Sequence, residues 1–62
     1  MRTPIRHECP ICHVAVRVKN SGGLYQAQTR YNKRWMTGGT WTTSRAYEAE
    51  RADRLFAGHK CR

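Results

Sequence analysis

The sequence predicts an α+β fold, a small antiparallel β-sheet of one or two hairpins followed by one C-terminal helix. Three observations predict it. Two alternating apolar and polar runs flank a glycine-rich turn. A helical periodicity with capping residues at both ends occupies residues 45–57. The chain has only 62 residues, which allows one domain, residues 1–62, with a core too modest to hold without a staple.

Each element follows from local chemistry. Residues 2–8 form an extended basic lead-in. Over residues 13–19, Val14, Val16 and Val18 face one way, while His13, Ala15, Arg17 and Lys19 face the other; this is a half-buried strand. Asn20-Ser21-Gly22-Gly23 supplies a turn, because asparagine and glycine tolerate positive φ. In the next run Tyr25, Ala27, Thr29 and Tyr31 share one face, and Leu24, Gln26, Gln28 and Arg30 the other. The two runs read as an antiparallel hairpin. Asn32-Lys33 marks a second turn. Residues 34–37 and 40–43 read as two further short strands around Gly38-Gly39, flanked by Trp35 and Trp41. The helix at 45–57 takes Thr43 or Ser44 as N-cap and Gly58 as a left-handed C-cap. Ala49, Ala52, Leu55 and Phe56 form its apolar stripe. Glu50 with Arg54, and Glu48 with Arg51, are spaced to pair along its surface, each worth about 0.2–0.5 kcal/mol.

All three cysteines lie in two short segments, Cys9-Pro10-Ile11-Cys12 and His59-Lys60-Cys61. A CxxC turn brings two sulfurs to one ion, and Pro10 preforms part of that turn. Cys9, Cys12, His59 and Cys61 make a complete tetrahedral set for one structural zinc ion (Zn2+). His13 and His7 are the alternatives for the fourth ligand. Three cysteines cannot all pair as disulfides. A redox dithiol would belong beside a βαβ pattern, and none is present. The knuckle, hairpin and following helix resemble the zinc-finger superfamily, in particular treble-clef and zinc-ribbon domains. The chain departs from those patterns in two respects. Its second ligand pair is His-x-Cys, and that pair follows the helix instead of occupying its first turn. The resemblance therefore implies a zinc-stapled domain and no specific family.

Twelve lysines and arginines oppose four acids, a formal charge of +8. No acid occurs between Glu8 and Glu48, whereas Arg17, Lys19, Arg30, Lys33, Arg34 and Arg45 do. Such a block is the electrostatic footprint of a polyanion-binding surface. The expected function is nucleic-acid binding, DNA or RNA, by a regulatory, transcription-related zinc-finger protein acting as a monomer. Arg17, Lys19, Arg30, Lys33 and Arg34 would contact phosphates, Gln26 and Gln28 base edges. Exposed Tyr25, Tyr31, Trp35 or Trp41 could stack on unpaired bases, although a domain this small needs most of its large side chains to cover the helix, which favours core for Trp35 and Trp41. The alternative is a protein-interaction module that docks on an acidic surface of a larger protein, as small phage and mobile-element products do.

Catalysis is not expected. Four protein ligands leave zinc no open position for water. The His-x-Glu that accompanies a Pro-Cys-x-x-Cys pair in zinc deaminases is absent. No apolar leader or membrane-spanning run is visible, so the expected location is the cytoplasm, with no membrane contact.

Overall fold

A computed structural model describes residues 3–37 and 39–61. Its element order is β1 (His7–Glu8), β2 (Ala15–Ser21), β3 (Leu24–Tyr31), β4 (Arg34–Thr37) and α1 (Arg45–Ala57). The strands form one antiparallel sheet in sequential order. The helix packs across β2 and β3 on a single face.

Register explains the two faces. Val16 opposes Thr29 and Val18 opposes Ala27, so the valines of β2 and the small residues of β3 meet the helix. There Val16, Ala27 and Ala52 are fully buried, with Val18 and Phe56 packed around them. Alanine at positions 27 and 52 removes the bulk that would hold helix and sheet apart. Ala15, Arg17, Lys19, Gln26, Gln28, Arg30 and Trp35 take the opposite face.

Both tight turns are two-residue hairpin loops with positive φ at each position. Gly22 and Gly23 have φ of 58° and 81°, and Asn32 and Lys33 have 49° and 66°. This primed geometry matches strand twist. Ser44 caps the helix, its Oγ accepting from the Tyr47 amide at 3.2 Å.

Four details differ from the sequence reading. First, the lead-in pairs with β2 as the short strand β1, with Arg6 N–H also donating to the Val16 carbonyl at 2.9 Å. Two residues are too few to show alternation. Second, Gly58 has φ −84°, right-handed and not left-handed; its N–H continues the helical pattern to the Arg54 carbonyl at 2.9 Å. Third, residues 40–43 form no strand. Only Thr42 bridges to Tyr25, and β4 pairs with β3 through the Asn32-Lys33 turn. Of the turn expected around Gly38-Gly39, Gly38 lies outside the described residues and Gly39 has φ 119°. Fourth, the buried side of the helix is centred on Glu48 and Ala52, while Leu55 is 38% exposed.

Glu48 accounts for the last two differences. Residues 39–41, between the Gln28–Thr37 pair and the Tyr25–Thr42 bridge, form no strand along the edge of β3. The Ala27 amide would otherwise lose its partner there. Glu48 Oε1 accepts from it at 2.9 Å, and Oε2 accepts from the Thr42 hydroxyl at 3.1 Å. Arg51 Nη1 stands 3.6 Å away. A fully buried carboxylate thus takes the place of a strand carbonyl. Gly39, at φ 119°, lies against Arg51; a Cβ there would come within 2.9 Å of its Nη2.

Candidate metal centre and the cationic sheet face

The Cys-Pro-x-Cys segment is the tip of the β1–β2 hairpin. The Cys9 amide donates to the Val14 carbonyl at 2.8 Å, and the His13 amide to the Cys9 carbonyl at 2.9 Å. His13 closes the turn at φ 62°. The amides of Cys12 and Ile11 point at the Cys9 sulfur. Together with Cys61 and His59 they draw its pKa down to about 6, the Cys12 amide contributing most. Backbone N–H groups aimed at sulfur stabilise the thiolate, the form that binds metal.

Just beyond the helix, the chain bends back toward this knuckle. Cys61 Sγ lies 3.0 Å from Cys9 Sγ, 3.2 Å from Cys12 Sγ and 3.3 Å from His59 Nε2. The four candidate ligand atoms all fall within 4.8 Å of one another. Cys9, Cys12, His59 and Cys61 are therefore close enough to hold one metal ion. The imidazole is oriented for this role: Nδ1 is hydrogen-bonded to the Phe56 carbonyl, which directs Nε2 at the sulfurs. That same bond is the largest cause raising the His59 pKa. Crowding by the Cys9 and Cys12 sulfurs pushes the Cys61 thiol up to about 12. A dication among them reverses that preference.

A brace that sequence reasoning missed supports the imidazole from the side. Asp53 accepts from Arg6 Nε at 2.6 Å and Nη2 at 3.1 Å, and meets His7 Nε2 at 2.7 Å. Arg6 first, then His7, holds the Asp53 carboxyl down at about 2. His7 stacks on Phe56 with ring centroids 5.1 Å apart, and Phe56 packs on His59 at 4.7 Å. The spacing of Asp53 and Phe56 along one side of the helix was the available signal. His7 belongs to this brace, and the metal cluster of the described residues contains neither His7 nor His13. Accordingly, His59→Ala should abolish stoichiometric metal binding, whereas His13→Ala and His7→Ala should each retain one ion per chain. Metal analysis of the purified variants checks this.

The proposed contact residues separate into groups. Arg17 Nε donates to Gln28 Oε1 at 2.8 Å, Gln28 Nε2 to Gln26 Oε1 at 3.0 Å, and Gln26 Nε2 to the Gly39 carbonyl at 2.5 Å. Gln26 and Gln28 are 2% and 5% exposed, so both side-chain amides are engaged in this internal relay. The Arg17 guanidinium lies 3.9 Å over the Trp35 ring. Arg30 pairs with Glu8 and donates to the His13 carbonyl. Lys19, Lys33 and Arg34 are exposed. By register Arg34 lies across from Tyr31, on the helix side of the sheet, away from Arg17.

All four acidic side chains meet an arginine: Glu8 with Arg30, Glu48 with Arg51, Glu50 with Arg54, and Asp53 with Arg6. Among the described residues Arg17, Lys19, Lys33, Arg34, Arg45 and Lys60 have no carboxylate partner. No described helix is long and apolar enough to cross a membrane. Comparison with family models, curated proteins and solved structures gives no match to this chain.

Proposed function

We propose that the chain is a zinc-stapled, non-catalytic module that binds nucleic acid as a monomer, in a regulatory, transcription-related role. The observation that carries the binding reading is the charge accounting. Every acidic side chain is neutralised within the fold, and the surplus cations remain available to phosphates. Cations that have already found internal partners gain little from a polyanion; unpaired ones release counterions. The reading of the metal as zinc rests on donor chemistry. Three thiolates and one imidazole form a closed N/S set, the type that borderline-soft, tetrahedral zinc prefers. Four protein ligands also leave no place for a reactive water.

The test is a salt series with duplex and single-stranded oligonucleotides. Affinity should fall steeply as salt rises, with a slope set by the number of phosphates engaged. Replacing Lys19, Lys33 and Arg34 together by glutamine should weaken binding roughly 500-fold in 50 mM salt, about eightfold for each single-strand phosphate no longer neutralised. Metal content and melting temperature should not change, because none of the three has a carboxylate partner among the described residues. Undiminished binding by that variant would refute the reading.

A second reading, docking on an acidic protein surface, draws on exposed apolar side chains. Ile11, Met36 and Tyr47 are 72%, 56% and 57% exposed. A complex anchored by such groups would be much less sensitive to salt.

A further inference from the structure

One concave region lies between the metal knuckle and the β3–β4 turn. It is an open groove of about 590 Å³ lined by Cys12, His13, Arg30, Asn32, Lys33 and Trp35. Three of these, His13, Asn32 and Lys33, are the non-glycine residues of positive φ among those described. Left-handed backbone is disfavoured for side chains with a Cβ, and such strain collects where a structure serves a ligand. Lys33 is the clearest case. It occupies the second position of a primed two-residue turn after asparagine, where glycine is the preferred residue. Glycine there would relieve the backbone and cost a cation. The fold retains the cation at the groove's rim instead.

The groove combines the two elements of single-strand recognition. Lys33 is its unpaired cation, Arg30 lies beside it with Glu8 as its partner, and Trp35 is its aromatic. Arg17 sits over the indole at 3.9 Å and Arg30 at 5.7 Å, so positive charge surrounds the ring. An indole in a cationic concavity suits an unpaired base with its phosphate; in a duplex, base faces are hidden by their neighbours. The Asn32 amide is available for a base edge. Cys12 also lines the groove, and a thiolate there disfavours an anion beside it, which leaves the phosphate to Lys33.

We infer that this groove holds one unpaired nucleotide of a single-stranded nucleic acid, its base against Trp35 and its phosphate at Lys33. The inference rests on the nucleic-acid reading above and narrows it to single strands and to one place on the molecule.

The experiment uses the metal-loaded full chain with a short oligothymidylate and a duplex of equal length. Two variants separate binding from folding. Lys33→Gly should raise the melting temperature, by relieving the turn, while weakening oligothymidylate binding roughly eightfold in 50 mM salt. Trp41→Phe leaves Trp35 as the sole tryptophan, and its fluorescence should be quenched in step with binding. The duplex should bind more weakly than the single strand. Unaltered binding by Lys33→Gly together with unquenched Trp35, or a preference for the duplex, would overturn the groove while leaving nucleic-acid binding standing. Absence of binding to either probe at low salt would overturn both.

Discussion

Chelating the metal should unfold this chain. Among the described residues, the fully buried apolar side chains around which helix and sheet meet are Val16, Ala27 and Ala52, with Val18 and Phe56 packed beside them. A cluster this small leaves little stability once chain entropy is counted. Structural zinc in small fingers contributes about 10–16 kcal/mol of apparent binding energy at neutral pH. An ion held by these four residues, Cys9, Cys12, His59 and Cys61, would tie the β1–β2 hairpin tip to the segment after the helix, so its loss should release the helix as well as the knuckle. Circular dichroism with excess chelator should show loss of the cooperative melt and of most helical signal. An unchanged cooperative melt would mean that the core suffices alone.

Replacing Glu48 should produce the largest effect of any substitution outside the ligands. Its carboxylate is wholly buried, and it accepts from the Ala27 amide and the Thr42 hydroxyl beside Arg51. Glu48→Ala leaves a buried amide without an acceptor and an arginine without its acid. Leaving a buried amide unsatisfied costs about 1–3 kcal/mol, and Arg51, its side chain 34% accessible, turns to solvent. Glu48→Gln retains an oxygen for Ala27, so its cost should fall nearer about 1 kcal/mol. Glu50→Ala provides the contrast: its pair with Arg54 is mostly exposed, with side chains 64% and 74% accessible, and should contribute only about 0.3–0.5 kcal/mol. Denaturant midpoints of the metal-loaded variants measure all three. If Glu48→Ala matched Glu50→Ala, the buried carboxylate would have no role in joining helix to sheet.

The same residue shows where reading the sequence reaches its limit. Strands β2 and β3 and the helix were legible, because alternation and helical periodicity report which side of an element is buried. The metal cluster was legible because cysteine and histidine in paired short segments have few other uses. Glu48 was legible only as an exposed partner of Arg51. A helical wheel places it beside Ala52, yet its charge argues for solvent until it is known that the Ala27 amide takes a side-chain acceptor in place of a strand carbonyl. Gln26 and Gln28 show the converse. On an alternating strand they read as a solvent face, but their amides close a relay from Arg17 to Gly39. Strand β1 was hidden by its length, and the Asp53 brace by depending on contacts between residues far apart in sequence. Pairings of that kind follow from tertiary placement, which period and propensity do not encode.

Cys9, Cys12, His59 and Cys61 are close enough to hold one ion, and the proposed stability and function both depend on that ion. Native mass spectrometry of the chain refolded with zinc, alongside the His59→Ala and Cys61→Ser variants, tests it most directly. The expected result is one zinc per wild-type chain, retained at low metal excess, and loss of that stoichiometric ion in both variants. A wild-type chain that folds without zinc, or variants that keep the ion as tightly as wild type, would contradict the central claim.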